Sequence, residues 1–144
     1  MKPSPELVLN QTFAKIVMEM APALPPGYGQ SSAATAGALL LMVAQEFDRA
    51  ADIRAKENRV MRALFADAAK NAGGGLGAKL NAVVGVRDED LTVSGLDRAN
   101  GELKRLLIEL QAHAEQAGDR VLELRILRFL SEAANARLVH LPAM

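Results

Sequence analysis

Residues 96–141 read LDRANGELKRLLIELQAHAEQAGDRVLELRILRFLSEAANARLVHL, a stretch in which leucine and alanine return every three or four positions with charged residues between them. That period follows the 3.6-residue turn of an α-helix and not the two-residue alternation of a strand. The last third of the chain is therefore committed to a pair of amphipathic helices. Gly118 suits the C-terminus of the first, and Asp119 can cap the second. So tight a link makes them antiparallel neighbours.

The two helices differ in how much apolar surface they carry. On the first, Arg98, Glu102, Arg105 and Glu109 fall on one line of alternating sign, a solvated face of weak ion pairs. Leu96, Leu103, Leu106, Leu107, Leu110, Ala114 and Ala117 lie opposite and should face the core. On the second, Arg125, Arg128, Glu132 and Asn135 form a narrow polar strip, while Leu122, Ile126, Leu127, Phe129, Leu130, Ala133 and Ala134 spread over nearly half the wheel. An arc that wide is buried on two sides. Either the other helices of the chain cover it all, or a second copy takes part of it. The expectation is a homo-oligomer, most simply a two-fold dimer, with Leu122, Ile126, Phe129 and Leu130 at the interface.

The remainder of the chain agrees with helices. Half of the 144 residues are hydrophobic but only 3% are aromatic, which favours packing through alanine and leucine over sheet formation. Ser4-Pro5-Glu6 opens a first helix over about 5–20, stopped by Pro22, Pro25 and Pro26. A second runs over about 31–71, apolar almost all round in its first half and thus expected to be buried on several sides. The polar run Arg54 to Arg59 is the place for a break in it. The Gly73–Gly77 segment ends that helix. Ser94-Gly95-Leu96-Asp97 has the spacing of a capping box opening a third helix over 95–117, and the fourth covers 119–138. The fold class expected is all-α, a single domain over 1–144. It is an antiparallel four-helix bundle with a glycine-rich loop between the second and third helices.

Several functions are disfavoured by the residues present. The chain has no cysteine, which removes disulfides, thiolate metal sites and cysteine nucleophiles and fits a reducing compartment. A cytoplasmic location is expected. Acidic and basic residues balance, so there is no general electrostatic footprint for nucleic acid or an anionic membrane. The arginines of the final helix, Arg120, Arg125, Arg128 and Arg137, point in scattered directions rather than along one groove-facing stripe. The most apolar run, residues 33–44, is too short to span a bilayer and meets Gln45, Glu46 and Asp48 at once. No secretory apolar segment follows Lys2.

The motifs that invite chemistry lack their context. Gly73-Gly74-Gly75-Leu76-Gly77-Ala78-Lys79 suggests a phosphate loop, yet it follows a helix, and Lys79 is neither preceded by glycine nor followed by Ser or Thr. Glu109 and His113 are four apart, whereas a carboxylate-bridged metal pair needs Glu-x-x-His. Asp88-Glu89-Asp90 lacks the spaced ligands of a calcium loop and reads as an exposed acidic turn. Tyr28 is expected to pack against an end of the bundle, and His140 to sit at a loose terminus. No metal, cofactor, nucleic acid or membrane is expected. Glu46 and Glu57 return to nearly the same face after three turns, on a stripe shared with Leu39, Val43, Ala50, Ile53, Val60 and Leu64. The first functional expectation is a non-enzymatic helical interaction protein, homodimeric or an accessory subunit on a protein partner. The alternative is a bundle holding an apolar small molecule, its polar end oriented by Glu46, Arg54 or Glu57.

Overall fold

A computed structural model describes residues 2–140, which form α-helices with no strand among them. Leu141, the last residue of the amphipathic stretch, lies outside the described residues. The helices are α1 (Pro5–Lys15), α2 (Tyr28–Ala68), α3 (Gly74–Val84), α4 (Val93–Ala117) and α5 (Arg120–Ala136). Two compact units result. One comprises residues 2–50 with 139–140, and the other is Ala51–Leu138. No helix among the described residues is long and apolar enough to cross a membrane.

In the N-terminal unit, the Ser4 side chain caps α1 by accepting from the Leu7 amide at 3.3 Å, with Pro5 and Glu6 in the first turn. The path then runs through a π-helical turn, Ile16–Met20, and a helical turn, Ala21–Ala23. Pro22 therefore does not stop the helix. The Ala21 amide reaches back five residues to the Ile16 carbonyl, and the wider turn relieves the clash a proline ring makes with the carbonyl four residues back. Gly27, at φ 142°, supplies the backbone conformation needed to enter α2. Its carbonyl accepts from the Ser31 amide, so α2 starts ahead of the serines expected to cap it. Tyr28 is 90% exposed rather than packed against an end of the bundle. The chain near His140 is held, because the Gln45 side chain bonds both its amide and its carbonyl.

The two units bury very different amounts of apolar surface. No residue of α1 is buried. The first half of α2 buries only small or single positions, among them Gly37, Leu41, Ala44 and Ala50. Its expected burial on several sides is not found among the described residues. Leu39, Met42, Val43 and Phe47 stay roughly half exposed. In the C-terminal unit, by contrast, Met61, Leu64, Phe65, Leu80, Leu103, Leu107, Leu110 and Ile126 form one continuous core.

Two local expectations are corrected in that unit, and the continuity of the second helix, open from sequence, is seen. α2 passes through Arg54–Arg59 without a break, because Glu57 and Asn58 are buried there and find tertiary partners instead of water. The glycine run is not only a loop. Gly73 caps α3, and Gly77 packs so closely on the Ala72 carbonyl that a side chain there would collide with it. The cap of α4 is Thr92, whose hydroxyl accepts from the Gly95 amide at 3.1 Å and donates to Asp90 at 2.6 Å. Ser94 therefore lies inside the helix, and Asp97 pairs with Arg54 rather than closing a capping box. Gly118, at φ 66°, ends α4, and Asp119 caps α5 through the Leu122 amide, as their positions in the sequence require.

Candidate functional site

Asn100 lies on the apolar stripe of α4, one turn from Leu96 and Leu103, where a polar side chain cannot be left bare. Its amide donates to Glu57 Oε2 at 2.9 Å and to Asn58 Oδ1 at 3.0 Å, both on α2. Asn58 in turn donates to the Leu96 carbonyl at 3.3 Å and to Asp88 Oδ2 at 3.2 Å. Arg137, at the C-terminal end of α5, closes the group with two bonds to the Glu57 carboxylate, at 2.8 and 2.9 Å. Lys104 approaches the same carboxylate at 3.3 Å. A polar centre thus joins α2, α4, the 85–92 segment and the end of α5 inside an otherwise apolar unit.

Burial raises the pKa of Glu57, but hydrogen bonds from Arg137 and Asn100, with the charges of Lys104 and Arg137, outweigh it and hold the carboxyl below its ordinary value. Asp88 is lowered first by its hydrogen bonds to Arg62, against the opposing effect of burial, with Asn58 adding to the shift. Arg62 engages Asp88 through both terminal nitrogens, at 3.1 and 2.6 Å, and each side chain is only 12% exposed. Both carboxylates of the centre are paired with arginine and held below their ordinary pKa, while Arg62 Nε is buried without a partner among the described residues.

The residues expected to orient a ligand differ in their surroundings. Glu46 is exposed in the N-terminal unit. Arg54 bonds Asp97 at 2.8 Å, and Glu57 has its carboxylate taken by Arg137, Asn100 and Lys104. The expected interface residues also divide. Leu122, Ile126 and Phe129 are buried in the protomer's own core, with Ile126 at 0% exposure, rather than presented on its surface. Leu130 is exposed, together with Val121, Leu124 and Leu127. The wide arc of α5 is therefore half covered from within. On α4, Arg98 and Glu109 pair with Asp90 and Lys79 rather than with their neighbours along the charged line. His113 is half-buried beside a cavity of about 230 Å³ lined also by Asp67, Asn71, Asp119 and Arg125. Among the described residues no group of three or more histidines and carboxylates could hold a metal ion.

Sequence reasoning missed Asn58, Asp88, Asn100 and Arg137. The signal for Asn100 was legible, since it is a polar residue at helical spacing between two core leucines. Asp88 and Arg137 carried none, because both stand in polar surroundings in the sequence. Compared with known proteins, the chain matches no family model, and neither a curated protein nor a solved structure is significantly similar to it.

Proposed function

We propose that the protein is a non-enzymatic helical interaction protein that self-associates as a two-fold dimer through its N-terminal helices. The observation that carries this reading is the uncovered stripe of α2. Leu39, Met42, Val43, Glu46 and Phe47 stand at positions i, i+3, i+4, i+7 and i+8, the spacing of a face made to be buried, and all five are exposed. α1 adds Leu7, Met18 and Met20 from its length and the π turn. These seven large side chains, each about half exposed, are apolar area that a second copy could cover. Two such hairpins would supply four helices to the dimer, a different assembly from the single-chain four-helix bundle expected over residues 1–144. The exposed edge of α5, with Leu124, Leu127 and Leu130, is a second apolar surface and the one suited to an accessory role on another protein. The arginine-paired state of Glu57 and Asp88 supports binding over catalysis. The cysteine-free composition supports a cytoplasmic setting.

Sedimentation equilibrium on the whole chain at micromolar concentration tests the dimer. The expected mass is twice that of the chain. Met42→Lys combined with Phe47→Lys should give a monomer of unchanged helicity, because both positions are already exposed. A wild-type chain that remains monomeric overturns the reading.

A further inference from the structure

Asp88 straps the 85–92 segment onto α2 through Arg62 and Asn58. Outside that strap lies an open groove of about 490 Å³. One wall is the α2 face bearing Ala63 and Arg59, and the other carries Val86, Arg87 and Leu91. Val86 and Leu91 are 52% and 68% exposed, so the apolar part of the groove is unfilled.

The charge in the groove is one-sided. Among the described residues the only carboxylate lining it is Asp88, already committed to Arg62. Arg59 and Arg87 are exposed and have no ion pair or hydrogen-bond partner among the described residues. Arg62 Nε is buried without a partner as well. In a chain whose formal charges cancel, this is a local excess of guanidinium beside apolar surface. Nucleic acid is a poor match, since the groove has no aromatic platform for bases and no extended basic track for phosphates. A small amphiphile is also a poor match. Sites for small ligands enclose most of the ligand surface, and here both walls stand open to water.

We propose that this groove docks an acidic, apolar peptide segment of a partner protein. Its carboxylates pair with Arg59 and Arg87, whose planar forks suit that geometry. Leucine- or valine-sized side chains of the segment cover Val86 and Leu91 and lie on the alanine surface of α2. A peptide spreads its contact along an open groove, which is how helical and extended segments are commonly bound. The inference is independent of the dimer, which uses the other unit.

Panning a random peptide library against the intact chain tests it. Enriched sequences should place Asp or Glu within a turn of Leu, Ile, Val or Phe. A labelled selected peptide should then bind in fluorescence anisotropy. Arg59→Gln and Arg87→Gln should each weaken it about tenfold, as should Asn or Gln in place of its acidic residues. Binding should also fall as salt rises from about 0.1 M to about 1 M, where the screening length shrinks from ~10 to ~3 Å. Amide NMR shifts should fall on residues 55–66 and 84–91. Both variants change exposed side chains, and circular dichroism confirms that they fold. The proposal is overturned by no enrichment, by enriched sequences without acids, by binding indifferent to both variants, or by shifts at 39–47. A change in sedimentation mass in either variant also overturns it, because the occupant would then be a second copy of this chain.

Discussion

Replacing Arg137 with methionine should damage the C-terminal unit more than replacing Glu57, the residue it serves. Arg137 gives Glu57 two charge-assisted hydrogen bonds, at 2.8 and 2.9 Å. The Glu57 side chain is 5% exposed, whereas those of Arg137 and Lys104 are 35% and 40% exposed. Without Arg137 a carboxylate is stranded out of reach of water. Stranding a buried charge costs about 3–5 kcal/mol. Asn100 and Lys104 remain beside it, which sets the expected loss near the lower end, about 3 kcal/mol. Glu57→Gln strands nothing comparable, because both cations can turn to solvent. Its loss is about 1–2 kcal/mol, the value of charged hydrogen bonds discounted for screening. Urea denaturation followed by helical circular dichroism at neutral pH measures both. The pH dependence adds a second check. In the wild type the folded pKa of Glu57 lies below its ordinary 4.5, so its contribution is complete above that value and is lost as pH falls through the lowered one. In Arg137→Met burial is opposed only by Asn100 and Lys104, so the folded pKa rises from its wild-type position. The deficit of that variant is then full at neutral pH and shrinks as pH falls through the raised value. The reasoning is refuted if Glu57→Gln costs as much as Arg137→Met, or if the deficit is the same at about pH 7 and about pH 4.

Two further substitutions probe the packing. Ile126→Asp places an unpaired charge at a fully enclosed position and should cost more than about 4 kcal/mol, while Leu127→Asp, one residue on and half exposed, should stay within about 1 kcal/mol; equal losses in thermal melts would contradict the division of the α5 arc. Gly77→Ala should lower stability by about 2 kcal/mol or more, because the added methyl meets backbone at the Ala72 carbonyl; Gly75→Ala, with open space around it, is the control, and a similar effect of the two in urea denaturation would remove the argument.

Residues 96–138 show how far periodicity reaches. The two helices, their turn at Gly118-Asp119 and the core face of α4 follow from local spacing, since which face of a helix is apolar is decided within a few turns. What covers that face is decided elsewhere. The arc of α5 announced burial but not its source, and only the packing assigns Leu122, Ile126 and Phe129 to the protomer's own core while leaving Leu124, Leu127 and Leu130 bare. The first half of α2 is the same case in reverse, an apolar helix on which Leu39, Met42, Val43 and Phe47 stay about half exposed among the described residues. The polar stretch at Arg54–Arg59 was open to either reading from sequence. A Glu-Asn pair breaks a helix if water is its partner and is carried inside one if Asn100 and Arg137 meet it, and those partners stand 43 and 80 residues away. Helix type, caps and amphipathic faces are properties of neighbours along the chain, so the sequence alone determines them. Burial and the pairing of charges are properties of neighbours in space, and they were settled only when the chain folded.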